Sequence, residues 1–180
     1  MEPTTTSAGL EAARDAPLPF DALYRACAAD LYAYVATLLR DRAASEDVTA
    51  QAFERAFRRW RTFDARRGTQ RAWLFAIARN AALDELRRRR RTVALAAEPA
   101  DLETAAASGG EDGEAAVRRA TVRAALAGLE ARDRELIALK FHAGLSSAEI
   151  AAVLRISPTN ASTRVHRALT RLREACHAPT

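Results

Sequence analysis

The side chains of this sequence that could do chemistry are set out to hold a polyanion, and none of their patterns suits bond-breaking. His142, His166 and His177 are scattered, with no Ser/His/Asp set around them and no carboxylates at metal-ligand spacing. Glu46 and Asp47 are adjacent acids, but neighbouring helix positions point apart, so a solvated or docking face suits them better than acid–base work. Cys27 lies within an apolar helical pattern and reads as a core residue, while Cys176 falls in a tail beside His177. Two distant thiols without ligand spacing indicate a reducing cytosol, not a disulfide framework or zinc site. The sequence therefore implies no enzyme, no metal and no cofactor. What it does carry is arginine, which supplies every basic residue except Lys140.

The most informative placement runs from Leu145 to Arg173. Ser146 can cap a helix while Glu149 reaches back to it, a capping box, and Leu145 and Ile150 sit at the staple positions around the cap. Arg155-Ile156-Ser157 reads as a turn, with Ser157 as the next N-cap and Pro158 at the first helical position, where a missing N–H costs nothing. From there Ala161, Val165, Ala168, Leu169 and Leu172 fall on one side of a helix. Thr159, Ser162, Thr163, His166, Arg167 and Thr170 fall on the other, and Arg164 and Arg171 flank them, placed for phosphates. A plain amphipathic surface helix would need none of this capping and turn chemistry. Two short helices across a tight turn, the second with an apolar back and a hydrogen-bonding front, suit a helix laid in the DNA major groove.

Charge supports a polyanionic partner. The net charge is +5, but six of the 23 acidic residues (Glu98, Asp101, Glu103, Glu111, Asp112, Glu114) crowd into one stretch without a basic residue, so the rest sets 28 basic against 17 acidic residues. Arg is also the side chain suited to bidentate contacts, although heavy Ala and Arg use can equally reflect coding bias. No apolar run approaches the roughly 18 residues of a membrane span, and no signal-peptide core is present, so a soluble, cytoplasmic protein without membrane insertion is expected.

The elements that must position these residues are all helical. Residues 1–18 lack periodicity and are expected to be disordered. A first helix carries Leu23, Cys27, Leu31, Tyr34, Val35 and Leu38 to about Arg40. Ser45-Glu-Asp opens a second, with Val48, Ala52, Phe53, Ala56 and Phe57 inward, ending near Trp60. After a loop to Gly68, a third runs from about Thr69 to Arg90 with Trp73, Leu74, Ile77, Ala81, Leu83 and Leu86. Pro99 and the glycines near 110 mark residues 92–114 as a flexible acidic linker, which its charge keeps off DNA. Helices resume near Ala115 and again from Arg132 to Phe141, before Gly144. Strand alternation is absent. The expected fold is all-α: a helical domain at 19–91, the linker, a helix-turn-helix domain at 115–176, and a tail at 177–180.

Arg87-Arg-Arg-Arg-Arg91 ends the third helix. Alone it is as compatible with a solvated helix end, where cations are favoured, as with a nucleic-acid contact. Its surroundings favour the contact: Arg79, Asn80 and Asp84 share the helix, Arg66, Arg67 and Arg71 precede them, and Phe63 and Trp73 lie nearby. Arginines interleaved with aromatics suit a strand whose bases are unstacked. Ala44-Ser-Glu-Asp-Val-Thr-Ala-Gln-Ala-Phe53 and the stretch from Arg71 to Arg88 resemble region 2 of bacterial sigma factors. Leu126 to Ile137 and Gly144 to Arg173 resemble region 4. Only the linker separates them, as in the minimal extracytoplasmic-function group, and two motifs in the correct order are more specific than one.

The resemblance implies a dissociable subunit of RNA polymerase. Region 2 of that family docks on the clamp of the core's largest subunit and captures flipped bases of the −10 element; region 4 binds the flap and reads the −35 element as duplex. By position, Asp47, Val48 and Gln51 would meet the core. Phe63, Arg66, Arg67, Arg71, Arg79, Asn80, Asp84, Arg87 and Arg88 would serve the −10 element. Thr159, Ser162, Thr163, Arg164, His166, Arg167 and Arg171 would serve the −35 element. Promoter DNA, the polymerase core and an anti-sigma factor are the implied partners. The chain departs from the family pattern at two places. Ala50-Gln51 stands where a Gln-Glu pair is usual, and Ala161-Ser162 where a larger apolar and a basic residue are usual. Arg167 then becomes the candidate for a bidentate guanine contact, worth about 1–3 kcal/mol of discrimination. The alternative is a stand-alone helix-turn-helix regulator, which would need a dimerisation helix or ligand domain that the N-terminal half does not resemble.

Overall fold

The computed structural model describes residues 18–95 and 113–177. The expected N-terminal extension, most of the expected linker and the last three residues lie outside them. The described residues form seven α-helices in order: α1 Phe20–Leu39, α2 Arg42–Arg58, α3 Gln70–Leu95, α4 Gly113–Gly128, α5 Ala131–Phe141, α6 Ser147–Leu154 and α7 Pro158–His177, with two 3₁₀ turns, Trp60–Thr62 and Ala65–Arg67, between α2 and α3. The described residues contain no strand.

Local chemistry sets most of these boundaries. Arg40 closes α1 in the left-handed conformation at φ 53°, its N–H reaching the Ala36 carbonyl. The next helix starts three residues before Ser45, because Asp41 caps it by accepting the Ala44 N–H at 2.9 Å. Ser45 is instead buried and donates its hydroxyl to the Asp41 carbonyl at 2.5 Å. Thr69 caps α3 by accepting the Ala72 N–H at 3.2 Å. The arginine run does not end α3, which continues to Leu95. Gly144, at φ 62°, turns the chain between α5 and α6 in a conformation only glycine adopts without cost. The capping box at Ser146 is present in both directions. Ser157 accepts the Asn160 N–H at 3.3 Å ahead of Pro158, completing the helix-turn-helix as its residues dictate.

Burial departs from the expected inner face of α2 at one residue: Phe57 is 64% exposed, lying against the Phe20 ring at 5.1 Å rather than in the core. Elsewhere most apolar periods point inward, although Val122 of α4, on the side of that helix that carries Ala125, Leu126 and Leu129, is 44% exposed; Leu145 and Ile150, the staple pair, are fully buried. One hydrophobic cluster runs through the described residues, from Leu23, Leu31, Tyr34 and Phe75 to Leu136, Leu139, Ile150 and Val165. It is continuous because α1 packs on α5 and α3 packs on α6, so the helices before and after residues 96–112 share one core. That contact explains why α3 buries Leu74, Phe75, Ile77, Ala78, Ala81 and Ala82 over a wide arc rather than a narrow stripe. It has α1 and α2 on one side and α6 on another.

Candidate nucleic-acid interface

The reading helix is built from behind. Ala161, Val165 and Ala168 of α7 are buried, which turns Thr159, Ser162, Thr163, Arg164, His166 and Arg167 to solvent. Thr163 donates to the Thr159 carbonyl at 3.0 Å, leaving its oxygen able to accept. Arg164 and Arg167 have no ion pair among the described residues. Arg171 does not stand free for a phosphate as expected: it pairs with the buried carboxylate of Asp133 at 2.5 Å, fastening α7 to α5. Desolvating Asp133 under α7 requires that cation.

The loop before α3 forms the second face. Asp64 accepts the Arg66 N–H at 3.0 Å and shapes the turn that lifts Arg66 and Arg67 into solvent. Phe63 is half-buried, tilted against Trp73 at 5.5 Å and parallel to Trp60 at 6.5 Å. A cleft of about 470 Å³ opens beside it, lined by Phe63, Arg66, Arg67 and Trp73 on one wall and by Ala148, Glu149 and Ala152 of α6 on the other. On α3, Asn80, Asp84, Arg87 and Arg88 are exposed, Arg87 bonded to Asp84 at 2.9 Å and Arg88 to Glu85 at 2.8 Å.

Two expected strand contacts are instead held by the chain itself. Arg79 donates to Glu135 of α5 at 2.6 Å, with side chains only 21% and 13% exposed. Tyr34 donates to the same carboxylate at 3.3 Å, and burial, followed by the Glu135 charge, holds the phenol well above its ordinary pKa. Arg71 spans the same seam, donating to the carbonyls of Ala143 and His142 while pairing with Asp30. Thr69 donates to Glu149 at 2.5 Å. Burial works to raise the Glu149 carboxyl, but bonds from Thr69 and Ser146 outweigh it and leave its pKa below the ordinary value. Nothing in the local pattern singled out Glu135; Tyr34 was legible only as a core residue of the first helix, and Glu149 only as a cap.

On α2, Asp47 and Gln51 are exposed on one face with Glu54, one and two turns apart. Val48 is not part of that face. It is 3% exposed, in the core beneath it, because the helix turns it toward α1 and α3. Phe57, one turn beyond Phe53, adds an exposed ring to the same helix that periodicity alone had assigned inward. Among the described residues no group of His, Cys, Asp or Glu could hold a metal, and no helix is long and apolar enough to cross a membrane.

Comparison with known proteins accounts for both halves. The family model Sigma-70 region 2 matches residues 23–92, and Sigma-70, region 4 matches residues 119–172. The chain is 35% identical over 153 residues to the ECF RNA polymerase sigma factor SigL of Mycobacterium tuberculosis, covering 84% of this chain and 85% of that one. It is 33% identical to the RNA polymerase sigma factor CarQ of Myxococcus xanthus, covering 86% and 87%. Its fold matches the sigma factor RpoE solved in complex with the anti-sigma factor NepR from Bartonella quintana, at TM-score 0.73 and 26% identity over 89% of this chain and 98% of that one.

Proposed function

The chain belongs to the extracytoplasmic-function group of bacterial RNA polymerase sigma factors, and from that premise we propose how its residues divide the work. It is an alternative sigma factor: it binds the polymerase core and directs promoter-specific initiation, with α1–α3 serving the −10 element and α4–α7 the −35 element. Sigma factors are initiation factors without catalysis of their own, and we assign none to this chain.

In our reading Asp47 and Gln51 meet the clamp, with Glu54 and Phe57 extending that face. Phe63, Arg66 and Arg67 take unstacked −10 bases in the cleft, while Asn80, Asp84, Arg87, Arg88 and, once released, Arg71 and Arg79 follow the strand. Thr159, Ser162, Thr163, His166 and Arg167 face −35 base edges, with Arg164 on phosphate. Residues 19–91 and 115–176 act as the two reading units, with 92–114 as the tether. The protein works in the cytoplasm, beside the polymerase. An anti-sigma factor, such as the one accompanying the Bartonella quintana relative, is its expected inhibitor.

The observation that carries this reading is the exposed polar front of α7 in the same chain, and the same order, as a region 2 match. A stand-alone regulator would bind DNA without polymerase. Gel filtration with purified core and run-off transcription on genomic fragments separate the two: comigration and discrete transcripts support the sigma reading, and DNA binding without either overturns it.

A further inference from the structure

A second groove, between α1, α4 and α5, shares no residue with the cleft beside Phe63 and none with the promoter or core candidates. Its volume is about 780 Å³. Ala36 of α1, Val122 and Leu126 of α4, and Ile137 and Phe141 of α5 supply apolar wall. Val122 and Phe141 are 44% and 65% exposed, large apolar side chains that the fold leaves uncovered there. Arg40, Arg123 and Arg134 line the same groove.

We propose that this groove binds a small amphipathic acid, its aliphatic chain along the apolar wall and its carboxylate held by Arg40 and Arg134. Arg134 is short of acceptors. Its Nη1 donates to the Leu129 and Ala127 carbonyls at the end of α4, while its Nε is buried with no partner. A buried donor left in that state is costly and calls for an acceptor. Burial, followed by the charge of Arg40, pushes the guanidinium below its ordinary pKa. Two cations thus oppose each other beside an apolar wall, and none of Arg40, Arg123 and Arg134 has an ion pair among the described residues. The acid lining the groove, Asp41, is already engaged: it accepts the Ala44 N–H and pairs with Arg89 at 2.9 Å.

Size and chemistry choose the occupant. The volume falls within the roughly 300–1,000 Å³ of small-ligand sites, which are mostly apolar with a few placed polar groups. A guanidinium matches a carboxylate in shape as well as charge. Phe141 is the single aromatic ring lining the groove, so a nucleotide base finds no pair of rings to stack between. One anionic head on an aliphatic chain satisfies both halves of the lining.

The test titrates sodium dodecanoate, kept below its micelle concentration, into the full-length protein in a calorimeter. Dodecyltrimethylammonium serves as the matched cation. One saturable site is expected, binding the ammonium about tenfold more weakly than the carboxylate. Arg40 sits at φ 53°, a backbone conformation that glycine adopts freely, so Arg40→Gly removes the charge and keeps the turn. It should weaken dodecanoate about tenfold, the loss of one charge-assisted hydrogen bond. Val122→Glu, at an exposed position, sets an acid against the chain and should abolish binding. No saturable site, or equal affinity for the two head groups, overturns the proposal. Unchanged affinity in both variants also overturns it, because the ligand then sits elsewhere. Binding that appears only in Glu98→Gln with Asp101→Asn and Glu103→Gln overturns it in favour of the chain's own acidic stretch as the occupant.

Discussion

Arg79 and Glu135, 56 residues apart in sequence, form an ion pair at 2.6 Å in the seam between α3 and α5, and Tyr34 completes the carboxylate's partners from α1. One acidic side chain thus joins three helices across the two halves of a promoter reader. Removing it strands a mostly buried guanidinium and a buried phenol, whereas removing Arg79 strands only the acid.

Breaking a buried pair from one side leaves an uncompensated charge, and the cost is about 3 kcal/mol. Glu135→Leu should lower unfolding stability by that amount in urea denaturation, while Arg79→Leu with Glu135→Leu should recover most of it. Equal destabilisation by the single and double variants would show that the pair is not coupled.

Arg167 is exposed on the front of α7 and has no ion pair among the described residues, so its removal should cost specificity and not folding. Arg167→Ala should weaken binding of a −35 duplex by about tenfold, within the 1–3 kcal/mol of a bidentate base contact, and leave the melting temperature within about one degree. Ser162→Arg should strengthen binding and steepen its salt dependence by about one unit. Fluorescence anisotropy on matched and mutated duplexes checks both.

Asp47 and Val48 are sequence neighbours with opposite fates, one exposed and one buried. Gln51→Ala and Asp47→Ala should reduce affinity for polymerase core without changing stability. Val48→Ala deletes two buried methyl carbons and should cost about 1–2 kcal/mol of stability at unchanged intrinsic docking. Calorimetric melts beside a core-binding titration separate the effects.

Glu149 supplies the clearest pH dependence. Its carboxyl is held below the ordinary value of 4.5 by Thr69 and Ser146, against the opposing effect of burial. A depressed folded pKa means that its stabilisation is complete above the unfolded value and is lost as pH falls through the folded one. The seam and the α6 cap should therefore loosen below about pH 4.5. Thermal melts from pH 7 to 3 should show Glu149→Gln destabilised at pH 7 and converging on the parent at pH 3. Parallel curves would contradict the assignment.

The helix-turn-helix was almost fully legible because each boundary is local: Ser146, Glu149, Ser157 and Pro158 carry their instructions within four residues. The apolar periods likewise located α1 and the inward face of α7. Where competing caps existed, local reading picked the wrong one, as at Asp41 and Ser45. Phe57 was placed inward because its period fits, yet among the described residues it is 64% exposed, with the Phe20 ring against it. Val48 came forward from the family pattern, although its own period already put it in the core. The seam and the other long-range ion pairs were invisible for a different reason. Arg71, Arg79 and Arg171 advertise charge, and the carboxylates that claim them lie 38 to 56 residues away in sequence. No spacing rule reaches across that distance.

Run-off transcription with purified polymerase core on a genomic fragment library tests the central claim most directly. Parent protein should yield discrete transcripts whose starts share two upstream elements about 25 base pairs apart, as required of a two-point reader. Arg167→Ala should lose the upstream element's influence and keep the downstream one. Absence of sigma-dependent transcripts with active core, or transcripts that ignore both elements, would contradict the account.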